Sequence, residues 1–307
     1  MADLQISRVA TRNLSAVVTT DGIGANISRA IGTPALANLT PFLILDRFCV
    51  PKGAGFPDHA HRGMMTLTYM IEGSFQHEDF LGNKGVIHVG DAQLMCAGKG
   101  IVHSEMPLYE SFNSEMPTGV QLWIDLPVTQ KLSDPYYIDL KAADIPTAHP
   151  QELVEIKILA GSVVENNKTI TGPITSIEDF IYLDITLEED SISSVYNQPI
   201  PPDLNAFIFV IEGAIGLNSA TQIVTRNSIA VLSRESTQVG VEITCLASRT
   251  RFLLVAGKPL PQEIHQAGPF VMTTKQGLVD AFMDYRGAKN GFENAARWKS
   301  SIHPQAA

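Results

Sequence analysis

Three imidazoles and a carboxylate fall in two short runs of the chain, FPDHAHR at 56–62 and HSE at 103–105. Within each run the candidates stand two residues apart, His59 with His61 and His103 with Glu105. Residues i and i+2 of a β-strand project from the same face, so each pair presents two donors in one direction. Two such strands side by side would converge four donors on a single ion. A set of three nitrogens and one oxygen suits Fe(II), Mn(II), Ni(II) or Cu(II), and Zn(II) less well. An isolated His-x-His is a weak signal, but here five of eight histidines (His59, His61, His77, His88, His103) crowd into 45 residues. Gly63, Gly90-Asp91, Gly98 and Gly100 frame the two runs as turn formers.

Neighbouring residues have blander readings. His77, in SFQHEDF, reads as a hairpin-surface histidine before a fifth ligand, and His88 as structural or exposed. Asp58 points away from His59 on an extended chain and suits a local turn. Cys96 sits in the apolar run LMCAG as a small core residue. Met64, Met65 and Phe56 read as packing groups that line the mouth of the pocket.

The elements that must position these residues are strands. TLTYMI (66–71), VQLWIDL (120–126), IYLDITL (181–187) and FIFVI (207–211) are β-rich runs broken by Gly, Pro, Asn and Asp, the pattern of a β-sandwich or barrel. One helical stretch is expected at about 275–298, with Leu278, Phe282 and Tyr285 on one face and a GAKNG break at 287–291. YMIEG at 69–73 is echoed by FVIEG at 209–213, which implies two related barrels, residues 1–140 and 141–307. Counting back from the echo, the positions of His61 and His59 become Pro201 and Pro199, and Val231–Glu242 holds no histidine. The second barrel is therefore expected to carry no metal.

Composition narrows the function classes. With 45% apolar and 18% charged residues the chain is a folded protein, and a net charge of −10 disfavours direct nucleic-acid binding. No run approaches the ~20 apolar residues of a membrane span, and the N-terminus has no secretory pattern. Three scattered cysteines fit a reducing compartment, so the expected location is intracellular, in cytoplasm, nucleus or both. GKGIVH at 98–103 is neither a Walker sequence nor a dinucleotide fingerprint.

The segments GFPDHAHRG (55–63), HEDF (77–80), AGKGIVHSEMP (97–107) and QLWIDL (121–126) resemble the pirin family of bicupins. PFLILDRF (41–48), NAFIFVIEG (205–213), GPFVMTT (268–274) and NGFENAARW (290–298) extend the resemblance along nearly the whole chain. It implies an all-β bicupin: two jelly-roll-type β-barrels with a short C-terminal helical segment. It also implies His59, His61, His103 and Glu105 as ligands, usually of iron, with Glu105 as a catalytic base. Two roles follow. One is a quercetin 2,3-dioxygenase acting on a flavonol with O2. The other is a non-enzymatic, redox-sensitive iron protein that works as a transcriptional coregulator through a basic protein partner. The chain is taken as a monomer. Departures from the family pattern are Met64 and Met65 where an aromatic and an acid are usual, and Arg47 between Asp46 and Phe48 where an acid is common. They are expected to change the polarity around the pocket and leave the ligands intact.

Overall fold

The structure, a computed structural model, describes residues 7–109, 116–188 and 192–302. It is all-β apart from one α-helix and a single 3-10 turn among the described residues. Two compact units each contain a seven-stranded and a four-stranded antiparallel sheet.

In the unit that carries the histidines, the larger sheet runs in the order Tyr136–Leu140, Ala92–Cys96, Met64–Glu72, Thr118–Asp125, Phe42–Cys49, Ala25–Ile31, Val17–Asp21. The smaller sheet runs Phe56–His61, Ile101–Leu108, Ser74–Asp79, Lys84–Ile87. Met64–Glu72 is buried at every residue but the last, which fits a central strand covered on both faces. In the other unit the larger sheet runs Ala10–Ser15, Ser228–Leu232, Asn205–Glu212, Thr250–Gly257, Phe180–Leu187, Val154–Ala160, Thr147–Gln151. The echoed strands Met64–Glu72 and Asn205–Glu212 both lie third in these orders, and each ends in a glycine with positive φ, Gly73 at 67° and Gly213 at 75°. At Gly213 a Cβ would also collide with the Arg249 carbonyl oxygen, so the repeated glycine is a steric requirement of the turn.

The chain passes between units at Ala142/Ala143, close to the expected boundary, but the terminal segments are exchanged. Residues 7–16 belong with Ala143–Pro259, because Ala10–Ser15 pairs with Ser228–Leu232. Residues 260–302 belong with Val17–Ala142, so the expected contiguous halves 1–140 and 141–307 do not describe the packing. The helix is also shorter than expected: it spans Lys275–Arg286, capped by Thr274 Oγ1 accepting from Gly277 N, and turns follow it instead of a second helical piece.

What draws the C-terminal segment onto the first barrel is a buried cation. Arg62, next to His61, donates from Nε to Lys99 O (2.6 Å), from Nη1 to Asp284 Oδ2 (2.8 Å) and from Nη2 to Asn290 O (2.6 Å). Its guanidinium carbon lies 4.7 Å from the centre of the Phe292 ring. Asn290 Nδ2 completes the arrangement by donating to Asp284 Oδ1 at 2.8 Å. Leu278 and Phe282 pack partly buried against the cluster around Phe270 and Phe292, as the helix face predicts.

Removing one member of a buried, hydrogen-bonded pair strands the other, so Arg62→Met is expected to cost about 3–5 kcal/mol in urea unfolding. Burial pushes the Asp284 carboxyl up, but bonds from Arg62 and Asn290 outweigh it and hold the group below its ordinary value. A depressed carboxyl stabilises the fold above its unfolded value and ceases to do so as pH falls through the folded one. The stability gap between wild type and Asp284→Asn should therefore be full at pH 7 and close progressively below about pH 4.

Candidate metal centre

The four predicted donors meet because Phe56–His61 and Ile101–Leu108 pair antiparallel with His103 directly opposite His59. The register shifts between His103 and Glu105, which brings Glu105 opposite Phe56. Such a bulge bends the strand and re-aims the side chain that follows it. On the other side of the same strand Glu105 lies opposite His77.

The ligand atoms of His59, His61 and His103 all lie within 4.8 Å of one another. Nε2 of His59 and His103 are 2.9 Å apart, and Glu105 Oε2 lies 3.9 Å from each of them. His61, His103 and Glu105 are almost fully buried, whereas the His59 side chain is 32% exposed and forms the open side of the group. Burial, with a smaller contribution from neighbouring imidazoles, drives His61 and His103 well below the ordinary histidine range. Both are neutral at pH 7 and retain a lone pair for a metal. Burial raises the Glu105 carboxyl, opposed by His59 and by hydrogen bonds from Gln121 and Thr68.

The residues fit a divalent first-row ion. Two imidazole nitrogens facing each other at 2.9 Å repel unless a proton or a cation lies between them, and Nδ1 of both His61 and His103 is buried without a hydrogen-bond partner. Glu105, buried beside neutral His61 and His103, likewise gains from the positive charge that a metal would supply.

A cavity of 930 Å³ opens onto this group, with His59, His61 and Glu105 in its lining. Its walls include Ile27, Ile44, Phe48, Phe56, Phe75 and Trp123. Gln121 connects wall and centre: its Nε2 donates to both Glu105 oxygens (3.2 and 3.3 Å) and to Thr68 Oγ1 (3.1 Å). Trp123 Nε1 donates to Gln121 Oε1 at 2.8 Å, which fixes the amide's orientation, and the indole meets His61 edge-on.

Several neighbours differ from expectation. His77 is not a hairpin-surface residue: it is buried, 2.7 Å from Gln93 Nε2 and stacked on Tyr137. The alternation of Ser74–Asp79 turns it inward beside Glu105, and Gly85 opposite leaves the room its ring needs. Met64 and Met65 are core residues outside the cavity lining, while Phe56 does line it. Arg47 also lies outside the lining, whereas Asp46 and Phe48 on either side belong to it. Asp58, expected in a turn role, is exposed at the cavity and accepts from Ser300 N at 3.4 Å. Cys96 is buried and His88 exposed, as read from the sequence.

Comparison with known proteins fits this architecture. The family description "Pirin" matches residues 24–124, and "Pirin C-terminal cupin domain" matches 182–291. The chain is 41% identical over 297 residues to the pirin-like protein of Solanum lycopersicum, covering 95% of this chain and 96% of that one. Homo sapiens pirin is 40% identical over 285 residues, covering 92% and 93%. The chain belongs to the pirin family. Among solved structures, a quercetin 2,3-dioxygenase from Acinetobacter baumannii superposes with a TM-score of 0.82 at 27% identity, covering 94% of this pirin and 99% of that chain. Escherichia coli YhhW, a bacterial pirin crystallised with nickel(II), shares the fold at a TM-score of 0.59 and 20% identity, over 80% of this chain and 96% of that one. The pirin fold, a bicupin, thus accounts for both barrels. No helix among the described residues is long and apolar enough to cross a membrane.

Gln121→Leu would remove the amide that faces Glu105 and leave the Trp123 indole N–H without its acceptor. Urea unfolding of metal-free protein should show a loss of about 1–3 kcal/mol, the cost of stranding buried polar groups.

Proposed function

We propose that this pirin is a metal-dependent dioxygenase of the quercetin 2,3-dioxygenase type, with iron held by His59, His61, His103 and Glu105. The observation that carries this reading is that His59, His61 and Glu105, clustered with His103, line a 930 Å³ cavity with aromatic and aliphatic walls. Ligand pockets for small molecules fall in the range of about 300–1,000 Å³ and are lined mainly by apolar groups with a few convergent polar ones. The likeness to the Acinetobacter baumannii quercetin 2,3-dioxygenase, over 94% of the chain, supports the same reaction class.

A bound first-row metal at such a set supplies polarisation of a substrate oxygen and one-electron access to O2. The chain's own residues bind and orient. Glu105, raised by burial, is the group able to take the proton of a flavonol 3-hydroxyl, and Gln121 holds its carboxylate towards the imidazoles. His59, the most exposed of the group, lies where a substrate would enter. Phe56, Phe75 and Trp123 offer flat apolar surface to a flat ring system and keep bulk water from the buried donors.

The test is O2 consumption with quercetin by protein reconstituted anaerobically with Fe(II), beside a His61→Ala control. Uptake with equimolar carbon monoxide release is expected from the wild type. The control should fall from about one metal ion per chain to below about a tenth and lose the uptake, since a buried three-nitrogen site rarely survives loss of one ligand. Fully loaded wild type that consumes no O2 with any flavonol would overturn the dioxygenase reading. Measurement would then turn to partner binding in the two iron states, where equal affinities mean no switch.

A further inference from the structure

Four polar residues cross the larger sheet of the metal-bearing barrel in one transverse row. Arg29 lies directly opposite Asp46, Asp46 opposite Gln121, and Gln121 opposite Thr68. Directly opposed residues share a face, so the row forms a polar stripe that starts at Glu105's partner Gln121 and runs outward along the cavity wall. Arg29 grips Asp46 through Nε (2.9 Å) and Nη2 (2.7 Å), and Nη2 also reaches Asp21 at 3.1 Å. Among the described residues its Nη1 has no hydrogen-bond partner, and the Asp46 carboxylate accepts hydrogen bonds only from Arg29.

The fold does not require these groups. In the other barrel the strands at the same places in the sheet order carry Ile158, Leu183, Leu254 and Ile208, opposed in the same sequence. All four are buried in its apolar core. An ion pair replacing two such aliphatic residues costs desolvation without adding stability over them, so its presence in the cavity wall calls for a ligand.

Resting on the dioxygenase reading, we propose that Arg29 and Asp46 form a subsite for vicinal hydroxyls on the substrate's pendant ring, making this pirin selective for catechol-bearing flavonols. The open Nη1–H donates to one hydroxyl oxygen and a free lone pair of Asp46 accepts from the adjacent hydroxyl. Neighbouring strands lie about 4.8 Å apart, so the Arg29 column stands roughly 10 Å from the Gln121 column, the scale of a three-ring molecule whose 3-hydroxyl meets Glu105. With Asp21 and Asp46 sharing one guanidinium, the subsite carries net negative charge, which favours neutral hydroxyls and repels sulfated or carboxylated rings.

The experiment is equilibrium binding, followed by fluorescence without O2, of quercetin and galangin to the Fe(II)-loaded protein. The two ligands share the 3-hydroxyl and differ in the pendant-ring hydroxyls. Wild type is expected to prefer quercetin by about 10- to 100-fold, the worth of one or two charge-assisted hydrogen bonds. In Asp46→Asn and Arg29→Gln, each checked for folding by its melting temperature, the preference should collapse to within about threefold. Wild type that binds both ligands equally, or variants that keep the preference, would overturn the subsite while leaving the dioxygenase reading intact. Binding of neither flavonol would remove both.

Discussion

One strand pairing governs the centre. Because side chains alternate along a strand, slipping Phe56–His61 by one residue against Ile101–Leu108 would turn His59 and His61 outward and present Asp58 and Ala60 to the interior. The register that prevents this is held from both sides. Ser74–Asp79 pairs with the same strand beyond Glu105, and Arg62 ties the residue after His61 to the tail. The bulge before Glu105 completes the set by re-aiming a single side chain. Four donors thus depend on backbone hydrogen bonds that none of their side chains makes.

The two barrels resolve the interior of one architecture in opposite ways. One fills it with Ile158, Leu183, Ile208 and Leu254, which need no partners. The other places Arg29, Asp46, Gln121 and Thr68 at the matching positions, and each must then be satisfied by its neighbours or by what binds there. Buried His77 and Gln93 continue the same logic on the far side of Glu105, and Gln93 Nε2 donates on to exposed Asp139. Function in this fold amounts to a barrel core that has been left partly polar.

The strands and the convergence of the two histidine runs were legible because each rests on a period of two or on residue chemistry within a few positions. The internal echo found strands that occupy the same place in their sheets. What escaped depends on contacts between distant segments. No local pattern announces that Arg62 reaches Asp284, or that residues 7–16 add a strand to the second barrel. His77 was misread because a hairpin position is exposed by default, and only Gly85 across the ladder makes space for its ring. Gln121 carried a usable signal: an amide two residues from a tryptophan, inside a run that otherwise buries apolar residues.

The exchange of terminal segments sets an order on the making of the molecule. A chain leaves the ribosome from its N-terminus, so after the strand Ala10–Ser15 the sheets of the histidine-bearing barrel are made first. Yet Arg62 finds Asp284 and Asn290 only after more than two hundred further residues have been added, and the second barrel's strands are all made before that. Until then the cation beside His61 has no carboxylate, and the cluster around Met64, Met95 and Ile101 lacks Phe292. The centre is therefore the last part of the protein to be finished, and a prematurely terminated chain would carry all four donors without the clamp that holds their strand.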